Sequence, residues 1–387
     1  MIGKDMKRQV SQLALGLALV VSGVVSGCTG ADVGNSGSGS NAPALQENGR
    51  VYSLIATAEG TARLRRAAAE LNYTAGEDIP LNGLNLVMVR FDLPDDVTGA
   101  QAIAALEAAD PASTVGVNHA YRLQNEPPAN NRRNFANAML KWPAGGCPAL
   151  RPVGIIDGGV DENAPALSSA RVTNRNFGSG SEQSRRHGTD VASVLADPSR
   201  LRNLRLYSAN VISQDTTGQD AAGAAAIVQA IDWLTQQDVK LINVSLAGPR
   251  NKLLNLAVNN ANSRGAILIA AAGNQGRTAP PQFPAAFSQV IAVTAVDAKK
   301  RAYRRAVRGA HIDIAAPGVD VFVSSGSGGR YVSGTSIAAP FVTASLAVMR
   351  GATPSALSSG SEDLGSQGKD QVFGHGLLQA DSLCTLG

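Results

Sequence analysis

Aromatic side chains are scarce in this chain: Phe, Tyr and Trp together make up 4% of its 387 residues. A core poor in rings has to be packed from Ala, Gly and aliphatic side chains, which suits closely spaced α/β layers. No internal repeat is visible. Charge is sparse as well, at 17% charged residues and a net +4. Lys299, Lys300, Arg301, Arg304, Arg305 and Arg308 form a basic run. No nucleic-acid motif accompanies it, so it reads as a solvated surface segment and no nucleic-acid partner is expected. With 44% hydrophobic residues the chain is not disordered over its length, and that length suits two folded units plus a tail.

No apolar run is long enough for a comfortable membrane span. The longest, residues 13–25, is interrupted by Gly and Ser. It follows Lys4, Lys7 and Arg8 and ends in Val25-Ser26-Gly27-Cys28, the order of an export signal over residues 1–27. Small residues before a cysteine resemble the lipobox of bacterial lipoproteins. Cys28 is therefore expected to carry lipid and bring the chain to a membrane, the other reading being an ordinary secretory signal that contains a cysteine. Thr29 after it, rather than Asp, resembles lipoproteins sorted to an outer membrane, which places the protein in the bacterial cell envelope. Once Cys28 is set aside, Cys147 and Cys384 allow a single pairing. Export makes that disulfide chemically permitted; two free buried thiols are the alternative.

Residues 28–49, dominated by Gly, Ser, Asn, Ala and Asp, read as a flexible tether with a reach of roughly 25 Å. Residues 50–124 alternate compactly: strands at 51–56, 84–91 and 115–123, helices at 61–72 and 100–109, and a weak strand near 73–81. This β-α-β-β-α-β order is the ferredoxin-like plan, which by itself says nothing of function. A polar Pro- and Asn-rich stretch follows, Glu126-Pro127-Pro128-Ala129-Asn130-Asn131-Arg132-Arg133, so residues 125–146 read as a linker and a plausible cleavage segment. From 147 to 387, apolar strands at 153–156, 241–245, 267–271 and 290–295 alternate with helical spacing at Ala224, Ile227, Val228, Ile231 and Leu234. That alternation predicts a parallel sheet with helices on both faces.

Four segments place a reactive group at a strand's carboxyl end or a helix start, where such folds gather function. They are Val153-Gly154-Ile155-Ile156-Asp157, Arg186-His187-Gly188-Thr189-Asp190, Ala271-Ala272-Gly273-Asn274 and Ser333-Gly334-Thr335-Ser336-Ile337. Each alone is unremarkable: a turn aspartate, a loop histidine, a turn asparagine, a helix-entry serine. Together they supply what acyl transfer needs. A serine hydroxyl requires a neighbouring imidazole to take its proton, a buried carboxylate orients that imidazole, and donors await the developing oxyanion. Asn274 and the backbone N–H of Ser336, at a helix start, are the candidate donors. The order Asp, His, Ser is one of the three known orders of such a triad.

Residues 149–380 resemble the subtilase family of serine peptidases, whose hallmark segments appear in order, Asn243-Val244-Ser245-Leu246-Ala247-Gly248-Pro249 and Ala315-Ala316-Pro317-Gly318 among them. The resemblance implies Asp157 as orienting carboxylate, His187 as general acid/base, Ser336 as nucleophile and Asn274 as side-chain oxyanion donor. It further implies that Ser245, Leu246, Ala247 and Gly248 align protein or peptide substrates, with Ala272, Gly273 and the turn at 282–284 shaping the pocket before the cut. Residues 50–124 are similar to the family's pro-domain, a folding chaperone and intramolecular inhibitor; a permanent accessory domain is the alternative. Two positions depart from the pattern: Asp190 stands where many members carry a second histidine, and Ile337 where they carry Met. No loop reads as a calcium site, so calcium dependence is not carried over and no cofactor or metal is expected. The chain is expected to act as a monomer. A catalytically inactive binding lipoprotein and an esterase are the competing readings. The esterase would show Gly-x-Ser-x-Gly, and Ala338 occupies the last position after Gly334 and Ser336.

Overall fold

A computed structural model describes residues 49–123, 135–215, 218–325, 328–351, 353–381, 383 and 384. The expected export signal, Cys28 and the expected tether up to residue 48 lie outside the described residues, as do positions 124–134.

The N-terminal part runs β1 (Arg50–Ile55), α1 (Ala58–Glu70), β2 (Thr74–Leu81), β3 (Leu86–Asp92), α2 (Gly99–Ala109) and β4 (Thr114–Gly116). Its four strands form an antiparallel sheet in the order β2-β3-β1-β4, the split arrangement that the element order implies. Thr57 caps α1 by accepting from the Gly60 N–H at 3.0 Å, and Thr98 with Gln101 forms a capping box on α2. Along β1 the side chains alternate between two cores. Val51 and Ile55 pack with Leu64, Ala68, Ala102 and Leu106 of the two helices. Tyr52 and Leu54, with Met88, face the helices of the larger part. A strand buried on both faces tends toward a continuous apolar run. β1 is buried from Val51 to Ile55, interrupted only by Ser53, whose hydroxyl donates to Val89 O at 3.4 Å.

The stretch 115–123, one strand by its sequence pattern, is broken in the structure. β4 closes the small sheet, while β5 (Ala120–Leu123) joins a second sheet of the larger part. The expected linker also becomes structure earlier than Gly146: Phe135–Met139 form a short helix, α3, and Leu140 and Trp142 enter the main core.

The larger part is a seven-stranded parallel sheet. Its strands are β6 (Val153–Asp157), β7 (Arg171–Asn176), β8 (Arg205–Asn210), β10 (Leu241–Val244), β12 (Ile267–Ala271), β13 (Val290–Val296) and β14 (Ile314–Pro317). They lie in the order β14-β13-β12-β10-β6-β8-β7, every pair parallel. Two short strands, β9 (Asp220–Gly223) and β11 (Leu246–Ala247), sit outside it and flank β5. Helices α4 (Glu182–Ala196) and α7 (Thr335–Val348) cover one face of the main sheet, with Ile155, Ile269 and Val293 beneath them. Helices α5 (Ala224–Gln236) and α6 (Lys252–Ser263) cover the other, over Ile156, Ile242 and Leu268. Before α7 comes a hairpin, β15 (Val321–Ser325) with β16 (Gly328–Val332). The Ala315-Ala316-Pro317 segment forms the edge strand β14, and the chain leaves the sheet at Gly318. A disulfide joins Cys147 to Cys384, whose Cα atoms are 5.7 Å apart.

Candidate active site

The sheet changes direction at β6. After this central strand the chain goes out to β7, returns to β8, and then crosses to β10 on the other side. A crevice opens at the carboxyl ends around such a switch point. Asp157 is the last residue of β6 and is fully buried.

Opposite it stands α4, started by a capping box in which Ser181 accepts from Ser184 N–H at 3.0 Å and its own N–H donates back to Ser184 Oγ at 2.8 Å. This helix brings in His187, itself 1% exposed. Close approach depends on Gly188: a Cβ there would lie 2.5 Å from Gly158 O and 2.6 Å from Gly159 O. With no side chain in the way, α4 settles on the loop after β6, and His187 Nδ1 reaches Asp157 Oδ1 at 2.7 Å. Its other nitrogen, Nε2, lies 3.2 Å from Ser336 Oγ. With the carboxylate holding a proton on Nδ1, Nε2 is the acceptor that the serine hydroxyl meets.

Ser336 is the second residue of α7, whose first-turn N–H groups have no partner within the helix. Inside α7, Pro340 has no N–H to offer the carbonyl four residues back, which is that of Ser336. The Ser245 hydroxyl fills the place, donating to Ser336 O at 3.1 Å. Ser245 is held in turn by Asn243 Nδ2 at 2.9 Å, and Asn243 Oδ1 accepts from Thr343 of α7 at 3.0 Å. The end of β10 is thus laced to the helix that carries the serine.

Asn274 follows β12. Its Oδ1 accepts from the Thr335 N–H at 3.1 Å and the Thr335 hydroxyl at 2.9 Å, which fixes the NH2 end of the amide as its donor side. Thr335 Oγ1 also accepts from Gly273 N–H at 3.0 Å. Thr335 is fully buried and ties the asparagine loop to the serine helix. Sequence reasoning passed over it as part of Gly-Thr-Ser; a hydroxyl beside a candidate nucleophile is the signal that could have singled it out.

Asp157, His187, Ser336 and Asn274 are therefore gathered at one end of the sheet. Of the residues assigned to substrate alignment, Leu246 and Ala247 form β11, and Gly248 pairs with Phe283 through bonds of 2.8 and 3.0 Å. Ala272 is bound to β13 through Val293 O at 2.9 Å. β11 already has a partner: β5 lies antiparallel to it, Leu123 opposite Leu246 and Arg122 opposite Ala247, while β9 pairs with the other edge of β5. Tyr121, fully buried, donates from its hydroxyl to Pro249 O at 3.1 Å, and its ring lies 2.6 Å from where a Cβ on Gly248 would stand. Burial pushes the Tyr121 phenol well above its usual range. The basic run is largely exposed, but three of its members are engaged: Lys300 with Glu362, Arg301 with Asp297, and Arg305 Nε with Asn274 O at 3.2 Å.

The profile of the Subtilase family matches residues 152–366, more than half of the chain. The thermostable alkaline protease of Halalkalibacterium halodurans is 33% identical over 275 residues, covering 66% of this chain and 70% of that protein. The minor extracellular protease Epr of Bacillus subtilis is 28% identical over 262 residues, covering 63% of this chain; the match spans only 40% of that relative. Among solved structures, fervidolysin from Fervidobacterium pennivorans, a keratinolytic enzyme related to subtilisin, shares the fold at a TM-score of 0.69 and 20% identity, over 88% of this chain and 61% of its own. Motif order, sheet topology and these likenesses agree: the chain belongs to the Subtilase family.

Proposed function

We propose that this protein is a serine endopeptidase that cuts protein or peptide substrates through an acyl-enzyme. The observation that carries the reading is the buried relay from Asp157 Oδ1 through His187 to Ser336 Oγ, at 2.7 and 3.2 Å. His187 Nε2 takes the hydroxyl proton as Ser336 Oγ attacks the scissile carbonyl, and Asp157 stabilises the imidazolium that forms. The Asn274 amide and the Ser336 N–H donate to the oxyanion of the tetrahedral intermediate. His187 then returns the proton to the leaving amine, and a water repeats the sequence to free the acyl group.

Substrate lies antiparallel to β11, in the place that β5 occupies in the full chain. This supports reading residues 50–124 as an intramolecular inhibitor whose last strand fills the substrate channel. A cut in the segment after β5 would then separate inhibitor from enzyme. The lipobox-like Val25-Ser26-Gly27-Cys28 lies on the inhibitor's side of that cut. We read the chain as an exported lipoprotein of the cell envelope whose peptidase part is released on maturation, and as a monomer. Labelling by a fluorophosphonate probe, lost in Ser336→Ala, tests the activity; a wild type that takes no label returns the reading to an inactive binding lipoprotein. Fractionation tests the release: Ser336→Ala should stay full length with the membrane, and the wild type should yield a shorter soluble form.

A further inference from the structure

Asp190, the departure from the family's histidine, sits on α4 one turn after His187 and is 1% exposed. A buried carboxylate needs a partner, because an uncompensated charge in the interior is costly. The partner is Arg330 of β16, whose Nη2 donates to Asp190 Oδ2. The same nitrogen donates at 3.4 Å to Arg186 O, the carbonyl directly before His187. One guanidinium therefore grips α4 on both sides of the imidazole-bearing residue. β16 ends at Val332, and the chain runs from there straight into Ser336. The ion pair is thus a strut between the element that carries the base and the element that delivers the nucleophile.

Three charged groups bear on Asp190: Arg330 from the hairpin, His187 from its own helix, and Asp157 from the end of β6. Burial raises the Asp190 carboxyl above the usual carboxylate range, while Arg330 and His187 draw it down. His187 therefore feels two carboxylates, its hydrogen-bonded partner Asp157 and the more distant Asp190. A second anion beside an imidazole favours the protonated ring, which cannot act as a base. The Arg330 charge opposes that effect.

We propose that Asp190 and Arg330 are a positioning pair for His187, holding α4 against the hairpin that leads to Ser336 and cancelling the second carboxylate's charge at the imidazole. The inference rests on the triad assigned above. A wild type that hydrolyses nothing defeats that assignment, whereas an active wild type lets the pair be judged by itself.

The test compares mature wild type with Asp190→Asn, Arg330→Gln and the double variant, following kcat, KM and the pH profile of kcat/KM on one peptide substrate. Each single variant should lose roughly 10- to 100-fold in kcat, the cost of a base displaced by a fraction of an ångström to an ångström, with KM nearly kept. The acid limb of the profile should move in opposite directions. Arg330→Gln leaves the anion uncompensated and shifts the limb to higher pH; Asp190→Asn leaves the cation uncompensated and shifts it to lower pH. In the double variant both charges are gone, and the limb should return to the wild-type position. If Arg330→Gln does not fold, Asp190→Asn and the double variant still decide the matter. Limbs that stay put, or move the same way in both single variants, overturn the proposal and leave the pair a brace with no bearing on the base.

Discussion

Truncating Tyr121 should loosen the N-terminal part, proposed above as an inhibitor, from the channel along β11. The side chain is fully enclosed, packs with Leu246 and Val244, and donates a hydrogen bond to Pro249 O. Large aromatic-to-alanine changes at such sites cost about 3–5 kcal/mol. The ring contributes to the hold of the N-terminal part on the catalytic part, so that cost appears as a weakening of roughly 10²- to 10³-fold or more. Tyr121→Phe keeps the ring and loses only the donor, about 1 kcal/mol or roughly fivefold. The assay is a progress curve of peptide hydrolysis started from the full chain. The wild type should show a lag while the bound inhibitor is cleared; the lag should shorten slightly in Tyr121→Phe and nearly vanish in Tyr121→Ala. Circular dichroism of each change in a Ser336→Ala background checks that the fold is intact. A wild-type lag in Tyr121→Ala would refute the claim that this strand is what blocks the channel.

Ser336→Ala should abolish hydrolysis, and Asn274→Ala should lower kcat by about 10²–10³-fold at nearly constant KM; lost affinity at constant turnover would contradict the oxyanion assignment. Replacing both Cys147 and Cys384 by Ser, which opens a loop spanning 237 positions, should lower unfolding stability by about 2–4 kcal/mol in urea titrations. Gly188→Ala drives a methyl group into the carbonyls of Gly158 and Gly159, so α4 must back away; a loss of about 1–3 kcal/mol in stability and a sharp fall in kcat are expected, the latter measured by burst titration.

Two of the reactive residues were legible because they close a recognisable apolar run, Asp157 after Val-Gly-Ile-Ile and Asn274 after Ile-Ala-Ala-Ala-Gly; His187 and Ser336 were legible only from the short motifs His-Gly-Thr and Gly-Thr-Ser around them. Four interior strands, β6, β10, β12 and β13, were legible for the same reason as the first two; β8, Arg205-Leu206-Tyr207-Ser208-Ala209-Asn210, was not, because it is interior to the sheet yet half polar in sequence. β7 was not: on the open edge of the sheet, Arg171-Val172-Thr173-Asn174-Arg175-Asn176 is almost wholly solvent-facing and carries no apolar period. β4 and β5 fused into one predicted strand because Val115, Val117, Tyr121 and Leu123 keep the same two-residue period across both; that they join different sheets depends on what each packs against. The residues that support the site were hidden for a different reason. The Ser245 hydroxyl matters because Pro340, nearly a hundred positions away, withholds an N–H, and Asp190 acquires its meaning only when Arg330 folds back against it. Such relations exist between segments, and no single window of sequence contains them.

The bond between Cys147 and Cys384 turns most of the catalytic part into a covalent ring, since the first of these residues precedes β6 and the second lies near the chain's end. A single self-inflicted nick anywhere inside that ring releases no fragment. Electrophoresis without a reducing agent would therefore count a once-cut molecule as whole. Comparing reduced with unreduced gels separates nicked molecules from undamaged ones, and the nicked fraction followed over time measures how fast the chain is cut.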